Sequence, residues 1–401
     1  MTDTGHKRVG RRRVFYIPGY DPFHPRRYRE LYRTEAAAQA AISQYQIALK
    51  PKQTKGPYGW HVDAVIGGAG VAADVEVLVW SDMVRRSMGT SIPATYLQLL
   101  RTSWAYIGSG ALFRLMRLRK GPMIAALYPI GMLLAQLLVA CLLAWALAWV
   151  IGLVVPVVGW AALALIPLVL RWFRKHDGRF YAYYLMHDFA YAAQADGANP
   201  ASLEARMAEF RTLIGAALMG EFDEVLVVGH SSGAHLAISV LADLIRRGLP
   251  PGGPALGFLA LGQVVPMVSF LPGAGRLRGD LAYLSTREEL TWIDVTAPGD
   301  GCAFALCDPV AVSGVSPPGK RWPLVISAAF TQTLSPERWK ELRWRFFRLH
   351  FQYLCAFDRP GDYDYFQITA GPLTLAERYA GRSPSKSRIE RPVNRYRSLA
   401  G

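Results

Sequence analysis

One long stretch of the chain contains no charged residue. Positions 121–170 include no Asp, Glu, Lys or Arg, and about 20 apolar residues suffice for one helical membrane span. Turn-forming residues interrupt the middle of the stretch at Gly152, Pro156 and Gly159. The pattern predicts two helices, at about 124–151 and 157–173, that form a transmembrane hairpin over 121–173. The alternative is a hairpin buried in a soluble core, although soluble helices usually carry a polar face.

Basic residues border this stretch on both sides, and the presumed turn has no charge. The flanking cations are Arg114, Arg117, Arg119 and Lys120 before the stretch, and Arg171, Arg174, Lys175 and Arg179 after it. Because positively charged flanks stay on the cytoplasmic side, we expect a bacterial inner-membrane protein in which both termini and the rest of the chain outside the hairpin are cytoplasmic. The preceding segment, 92–118, mixes apolar and basic residues and is either an interfacial amphipathic helix or a buried one.

Strand-like and helix-like patterns alternate through the rest of the chain. Short apolar runs predict strands at 13–16, 75–80, 224–228, 256–261 and 290–295, and longer periodic segments predict helices at 26–45, 181–193, 201–218, 234–247 and 339–354. This alternation predicts an α/β fold with a mostly parallel, doubly wound sheet. The sheet domain would comprise 1–120 and 174–382, and the Ser/Arg-rich tail at 383–401 is expected to be disordered.

The sharpest motif is Gly229-His230-Ser231-Ser232-Gly233, which matches G-x-S-x-G. The apolar run at 224–228 precedes it as a buried strand, and a helix pattern follows it. A tight turn between a strand and a helix raises a serine above the end of a sheet, and its glycines permit the close chain approach that such a turn needs.

The motif and the order of elements resemble the α/β-hydrolase superfamily over most of the chain outside the hairpin and the tail. In that superfamily the catalytic residues run serine, acid, histidine along the chain. The resemblance therefore implies Ser231 as nucleophile. It also implies His350 as the base, because the other histidine after Ser231, His235, lies one turn along the helix leaving the motif. A packed or helix-capping histidine is the alternative for His350.

The acid has three candidates after a late strand. Asp300 in the loop following 290–295 fits the superfamily pattern best, whereas Asp294 at the strand end and Asp308 are alternatives. Asp300 could also be a plain turn residue before Gly301.

The resemblance also implies an oxyanion hole made of two backbone N–H groups. One would belong to Ser232 at the start of the helix after the nucleophile. The other would belong to Tyr20, in a loop after the first strand where Pro18 replaces the histidine of the superfamily's His-Gly loop. The alternative for this loop is a simple turn.

Composition supports membrane attachment more than any particular substrate. The chain has 45 Lys+Arg against 30 Asp+Glu, a net charge of +15, and 52% hydrophobic residues with 19% charged. Soluble domains average about 25% charged residues, so this chain carries fewer charges than usual. Disordered chains are poor in apolar residues, so the composition excludes a disordered protein.

The four cysteines show no metal-ligand spacing, so we expect no metal and no cofactor. The basic ends suit anionic lipid better than nucleic acid.

Together these patterns predict a membrane-anchored serine hydrolase that cleaves an ester or thioester through Ser231, His350 and Asp300. The position of the hairpin favours a lipid-like substrate, and the expected partners are that substrate and membrane lipids, without nucleic acid. Two other functions fit the same residues: an acyltransferase with the same triad, and a non-catalytic membrane scaffold that keeps the fold. The sequence specifies no oligomeric state.

Overall fold

A computed structural model describes residues 8–154 and 156–400, with the backbone alone at 156–158. These residues form an eight-stranded sheet in the order β2-β3-β4-β1-β5-β6-β7-β8. The strands are β1 (Arg11–Ile17), β2 (Gln46–Pro51), β3 (Gly59–Ile66), β4 (Ala69–Val77), β5 (Glu224–His230), β6 (Ala255–Leu261), β7 (Leu290–Thr296) and β8 (Leu324–Ser327). The β2–β3 and β3–β4 pairs are antiparallel, and the other five neighbouring pairs are parallel. The predicted α/β fold with a mostly parallel sheet is confirmed.

Helices surround the sheet and extend beyond it. They are α1 (Arg26–Ser43), α2 (Ser81–Met88), α3 (Ile92–Gly108), α4 (Ala111–Leu115), α5 (Lys120–Gly152), α6 (Leu165–Lys175), α7 (Asp177–Phe180), α8 (Ala182–Ala193), α9 (Ala201–Leu218), α10 (Ser232–Arg246), α11 (Val265–Ser269), α12 (Gly275–Leu284), α13 (Pro309–Val312), α14 (Phe330–Thr333), α15 (Pro336–Leu342), α16 (Phe346–His350), α17 (Tyr365–Ala370) and α18 (Leu375–Arg378). Three 3-10 turns lie at Pro156–Ala164, Gln194–Gly197 and Gln352–Leu354.

Both faces of the sheet are covered. Val225 and Val227 of β5 pack into one core with α9, α10 and α12, whereas Leu226 and Val228 of the same strand pack into a second core with α1 and α17. A strand covered on both faces needs apolar residues at every position. This is why β5 reads as a continuous apolar run in the sequence.

Helix α5 is the one helix among the described residues that is long and apolar enough to cross a membrane. It has 33 residues and a mean hydropathy of 2.3 over its most apolar window, of which only 22% is buried. At 1.5 Å per residue its length is about 50 Å. Much of its surface is therefore apolar and uncovered by protein.

The second half of the expected hairpin differs from the prediction. Instead of one helix at 157–173, the chain forms the 3-10 turn Pro156–Ala164 and then the 11-residue helix α6, both packed against α5. Pro156 and Pro167 lack the backbone N–H that a continuous α-helix requires in its interior. Gly159 approaches α5 so closely that a Cβ there would lie 3.1 Å from the Ala148 carbonyl oxygen.

Other predicted elements need correction. The helix expected at 339–354 is broken into α15, α16 and a 3-10 turn, and strands β2, β3 and β8 were not predicted. The segment 92–118 forms α3 and α4, and α3 packs against α5 and α8 while leaving Trp104 78% exposed.

The tail also differs from its prediction, because residues 383–400 are ordered against the sheet domain. The side-chain amide of Asn394 donates to the Ser269 carbonyl oxygen at 2.9 Å, and the buried Arg278 donates to the Ser398 carbonyl oxygen at 2.9 Å. A side chain and a backbone carbonyl of the tail thus take the place of water as partners of buried polar groups.

Candidate active site

Ser231 stands at the turn between β5 and α10 with φ 55° and ψ −122°. Few residues other than glycine adopt a positive φ, and such strain persists where the surroundings enforce it. The lack of a side chain at Gly233 lets the turn pack directly against β1, since a Cβ there would lie 2.1 Å from the Ile17 carbonyl oxygen. A Cβ at Gly229 would lie 2.7 Å from the Ala234 Cα. The motif glycines therefore hold the serine at the carboxyl end of the sheet.

His350 and Asp300 meet at this same end of the sheet. The Nδ1–H of His350 donates to Asp300 Oδ2 at 2.7 Å, and both side chains are almost fully buried. The Tyr353 hydroxyl donates to the same oxygen at 3.0 Å, and the Cys302 backbone N–H donates to Oδ1 at 2.9 Å. Both oxygens of the Asp300 carboxylate therefore accept hydrogen bonds, and the bond from Nδ1–H fixes the tautomer of His350.

The surroundings of Asp300 favour its ionised form. Burial acts to raise the pKa of Asp300, but the charge of His350 and the hydrogen bonds from His350, Cys302 and Tyr353 outweigh it and hold the pKa below its ordinary value. A carboxylate in this state stabilises positive charge on the neighbouring imidazole.

The other ring nitrogen of His350 is unpaired. Its Nε2 is buried and has no hydrogen-bond partner among the described residues, so its lone pair is available as a base. Gly262, with φ 54°, leaves room for the ring, since a Cβ there would lie 3.0 Å from His350 Cε1. Ser231 and His350 line one cavity of about 860 Å³, a volume that includes its open mouth.

The predicted oxyanion loop passes directly beside the serine. A Cβ at Gly19 would lie 2.9 Å from Ser231 Cβ, and the Trp80 indole holds the loop by donating to the Pro18 carbonyl oxygen at 2.8 Å. Within the described part of the chain, the backbone N–H groups of Tyr20 and Ser232 donate to no protein acceptor. Two free donors therefore lie near the serine hydroxyl, as an oxyanion hole requires.

The alternative acids do not reach His350. Asp294 lies inside β7, its two oxygens have no partner among the residues that the structure describes, and burial raises its pKa well above the ordinary value. Asp308 instead caps α13 through the Val310 and Ala311 N–H groups and pairs with Lys320. Of the three candidates, the structure brings only Asp300 to the histidine.

Two residues that support His350 were not predicted from the sequence. The centre of the His230 ring lies 4.8 Å from that of His350, with the two rings tilted by 36°, and the His230 Nε2–H donates to the His350 carbonyl oxygen at 3.0 Å. Burial and the charge of His350 lower the pKa of His230 to about 3, so it stays neutral. Tyr353 was missed although it follows His350 by three residues, a spacing that places both on one side of a helical turn.

A third unpredicted residue is an acid in the cavity. Asp188 on α8 lines it, and burial raises the pKa of Asp188 to about 7, against the charge of His350, which lowers it. No sequence pattern singles out this aspartate, because it lies on a helix from a different part of the chain.

One group of residues has the geometry of a metal site. Asp300, Cys302 and His350 each offer a ligand atom, and these atoms lie within 4.8 Å of one another. Burial raises the pKa of the Cys302 thiol well above its ordinary value, whereas the thiolate is the form that binds metals. The nitrogen of His350 nearest Asp300 is already engaged with it. The donor set therefore suits a hydrogen-bonded pair better than an ion.

Comparisons with known proteins add no relative. No protein-family model matches the chain, and neither a curated protein nor a solved structure does. The fold and the site geometry are therefore the basis for any functional conclusion.

Proposed function

We propose that this protein is a membrane-anchored serine hydrolase of the α/β-hydrolase type that cleaves a lipid-like ester or thioester. The observation that carries the proposal is the strained Ser231 at the turn after β5, in one cavity with a histidine whose Nδ1 is held by Asp300 at 2.7 Å. A nucleophile, a base and a group that orients the base are the parts that acyl transfer needs.

Each residue takes a defined step in the proposed reaction. Ser231 Oγ forms a bond to the substrate carbonyl carbon while its proton passes to His350 Nε2. The bond to the leaving alcohol or thiol then breaks, and His350 returns the proton to that group. Water repeats the sequence on the acyl-serine, releases the acid and regenerates Ser231. Asp300 stabilises the imidazolium that forms in both halves.

Developing negative charge on the carbonyl oxygen would be stabilised by the N–H groups of Tyr20 and Ser232. The N–H of Ser232 opens α10, so the positive end of the helix dipole adds to its effect. Loss of one such donor in other serine hydrolases lowers kcat by roughly 100- to 1000-fold.

Membrane attachment is proposed from α5 and its position beside the cavity. A helix of 33 residues with mean hydropathy 2.3 and little burial suits a lipid environment, and the segment from Pro156 to the end of α6 would return along it. Pro122 and Ala125 in the first turns of α5 line the same cavity as Ser231. A Cβ at Gly121 would lie 3.1 Å from the Gly301 Cα, so α5 begins against the loop that carries Asp300.

This arrangement favours a lipid-like substrate. The cavity is lined largely by apolar side chains, including Leu185, Phe189, Met267 and Phe347, and it lies where the apolar helix leaves the sheet domain. An acyl chain could pass from the bilayer along α5 into the cavity without crossing water, so its apolar surface would not be exposed to solvent on the way.

The decisive experiment is labelling of the full-length protein in detergent with a fluorophosphonate probe, together with hydrolysis of a long-chain ester. The Ser231→Ala variant is expected to lose both labelling and turnover. Ser383→Ala, which removes an exposed hydroxyl from the tail, is the matched control and should retain both. Probe labelling that persists in Ser231→Ala would contradict the proposed nucleophile.

The same experiment separates the other two functions. An acyltransferase would yield a transferred ester when an alcohol acceptor is added to the reaction. A non-catalytic scaffold would leave the wild-type protein unlabelled by the probe although the protein is folded.

A further inference from the structure

A second cavity adjoins the one that contains Ser231. It is smaller than the first cavity, and the two share Tyr20, Asp188, Ser232 and His235. The two cavities therefore meet at the presumed oxyanion donors. We call the second one the polar arm, defined by Asp188, Tyr191, Gln194 and His235.

The polar arm contains several polar groups without partners. The Tyr191 hydroxyl, the Gln194 Nε2 and the His235 Nδ1 are buried and make no hydrogen bond within the described part of the chain. Asp188 lines both cavities and adds a carboxyl whose pKa burial raises to about 7. Buried polar groups are usually satisfied in folded proteins. Three unsatisfied groups around one cavity point to a ligand that supplies their partners.

The chemistry of these groups restricts that ligand. A tyrosine hydroxyl both donates and accepts, the glutamine Nε2 donates, and a neutral imidazole nitrogen or a carboxylate can accept. Burial lowers the pKa of His235 to about 4, which keeps it uncharged at neutral pH. A group that carries several hydroxyls, each both donor and acceptor, would satisfy this set.

Charge restricts the ligand further. Among the described residues, neither cavity is lined by Lys or Arg, so a phosphate or carboxylate in the polar arm would lack a cationic partner. Asp188 would repel it when ionised. The first cavity offers an acyl chain more apolar surface than the second does, whereas the unpartnered Tyr191 and Gln194 line the second cavity and not the first.

We propose that the substrate is a long-chain acyl ester of a small, uncharged polyol, with the acyl chain in the first cavity and the polyol in the polar arm. The proposal rests on the hydrolase function proposed above. In the reaction, the polyol is the leaving group. His350 donates a proton to its oxygen when the ester bond to the acyl group breaks, and water later releases the acid from Ser231.

The test compares three oleoyl esters with the full-length protein in detergent: 1-oleoylglycerol, methyl oleate and 1-oleoylglycerol 3-phosphate. We expect kcat/KM for the glycerol ester to exceed that for each of the other two by at least about tenfold. The three esters share one acyl chain, so the ratios report the alcohol portion alone.

Variants assign the preference to the polar arm. Tyr191→Phe and Gln194→Leu are each expected to lower the ratio of glycerol ester to methyl ester by about threefold or more. Asp188→Asn is expected to lessen the discrimination against the phosphate ester. Tyr283→Phe is the matched control, since its ring lies beneath Arg246 and Arg287 and lines neither cavity, and it should keep the wild-type ratios.

The outcomes separate this inference from the proposed function. Fluorophosphonate labelling of each variant shows whether its site is intact. A labelled wild type that hydrolyses the three esters equally, or prefers the phosphate ester, overturns the polyol inference and leaves the hydrolase in place. Equal changes of the ratio in Tyr191→Phe and Tyr283→Phe also overturn it. A wild type that neither labels nor hydrolyses any ester contradicts the proposed function itself.

Discussion

Gly19 lies so close to Ser231 that a Cβ atom at position 19 would be 2.9 Å from the Cβ of the serine. Rotation of a side chain cannot relieve a contact between two Cβ atoms, so a larger residue must displace the loop or the serine. The close approach brings the N–H of the next residue, Tyr20, to the region where an oxyanion would form.

The Gly19→Ala variant is therefore expected to lose activity. A displacement of about 1 Å in a reacting group can lower the rate roughly 100-fold, and we expect a loss of kcat/KM of that order in ester hydrolysis. Gly70→Ala is the control, because a Cβ at Gly70 would meet nothing within 4 Å. Wild-type kcat/KM in Gly19→Ala would show that this loop does not take part in the reaction.

The Asp300→Asn variant tests the acid of the proposed triad. An amide cannot stabilise the imidazolium, and its NH2 group can reverse the tautomer of His350, so kcat should fall by roughly 1000- to 10000-fold. The control is Asp294→Asn, since the raised pKa of Asp294 already favours a neutral carboxyl in β7, and its kcat should change little. A larger loss in Asp294→Asn than in Asp300→Asn would reassign the acid.

Asp188 should make the stability of the protein depend on pH. Burial raises the pKa of Asp188 to about 7 from an ordinary value of 3.8, so the folded state resists an ionisation that occurs freely in the unfolded chain. The stabilising contribution of the protonated carboxyl is complete below an ordinary pKa of about 4 and is lost as the pH rises through about 7.

Asp188→Asn removes this dependence. Its Tm in detergent should exceed that of the wild type by a few degrees at pH about 8.5, with a smaller difference at pH about 5. Thermal unfolding followed at both values of pH measures the effect. A difference in Tm that is larger at the lower pH would show that Asp188 is ionised in the folded protein.

Lysines on the exposed face of α5 test its contact with lipid. Leu134, Leu138 and Leu142 are each about half exposed, and a lysine at the centre of a membrane helix costs about 3 kcal/mol. The triple Leu→Lys variant should leave alkali-washed membranes in fractionation, whereas the wild type should remain. The control places three lysines at the exposed Met219, Leu373 and Leu399 and should remain as well. Release of both variants, or of neither, would contradict insertion of α5.

The elements that the sequence predicted correctly are determined by residues close together in the chain. The strand and helix around Ser231, the helices at 26–45, 181–193 and 201–218, and the long apolar helix α5 all follow from residues adjacent in the chain. Hydrophobic periodicity and turn residues act over a few residues, so they identify such elements without knowledge of the fold.

The elements that the sequence missed depend on contacts between distant segments. Strands β2 and β3, which lie next to each other at one side of the sheet, leave alternate residues at least partly exposed and have weak apolar patterns. The segment at 339–354 has a helical pattern, yet it breaks at Arg345, where φ is −100° and ψ is 67°. Tertiary packing overrides helix propensity there.

The sequence by itself determined the strand-turn-helix around Ser231, the α/β class and the apolar helix, because glycine, serine and apolar patterning act locally. Only the tertiary structure decided among Asp294, Asp300 and Asp308, since the hydrogen bond to His350 joins residues 50 positions apart. It alone also brought Asp188 and His235 to one cavity. A side chain's partners across the fold follow from how the sheet and helices pack, and that information lies in no short stretch of the chain.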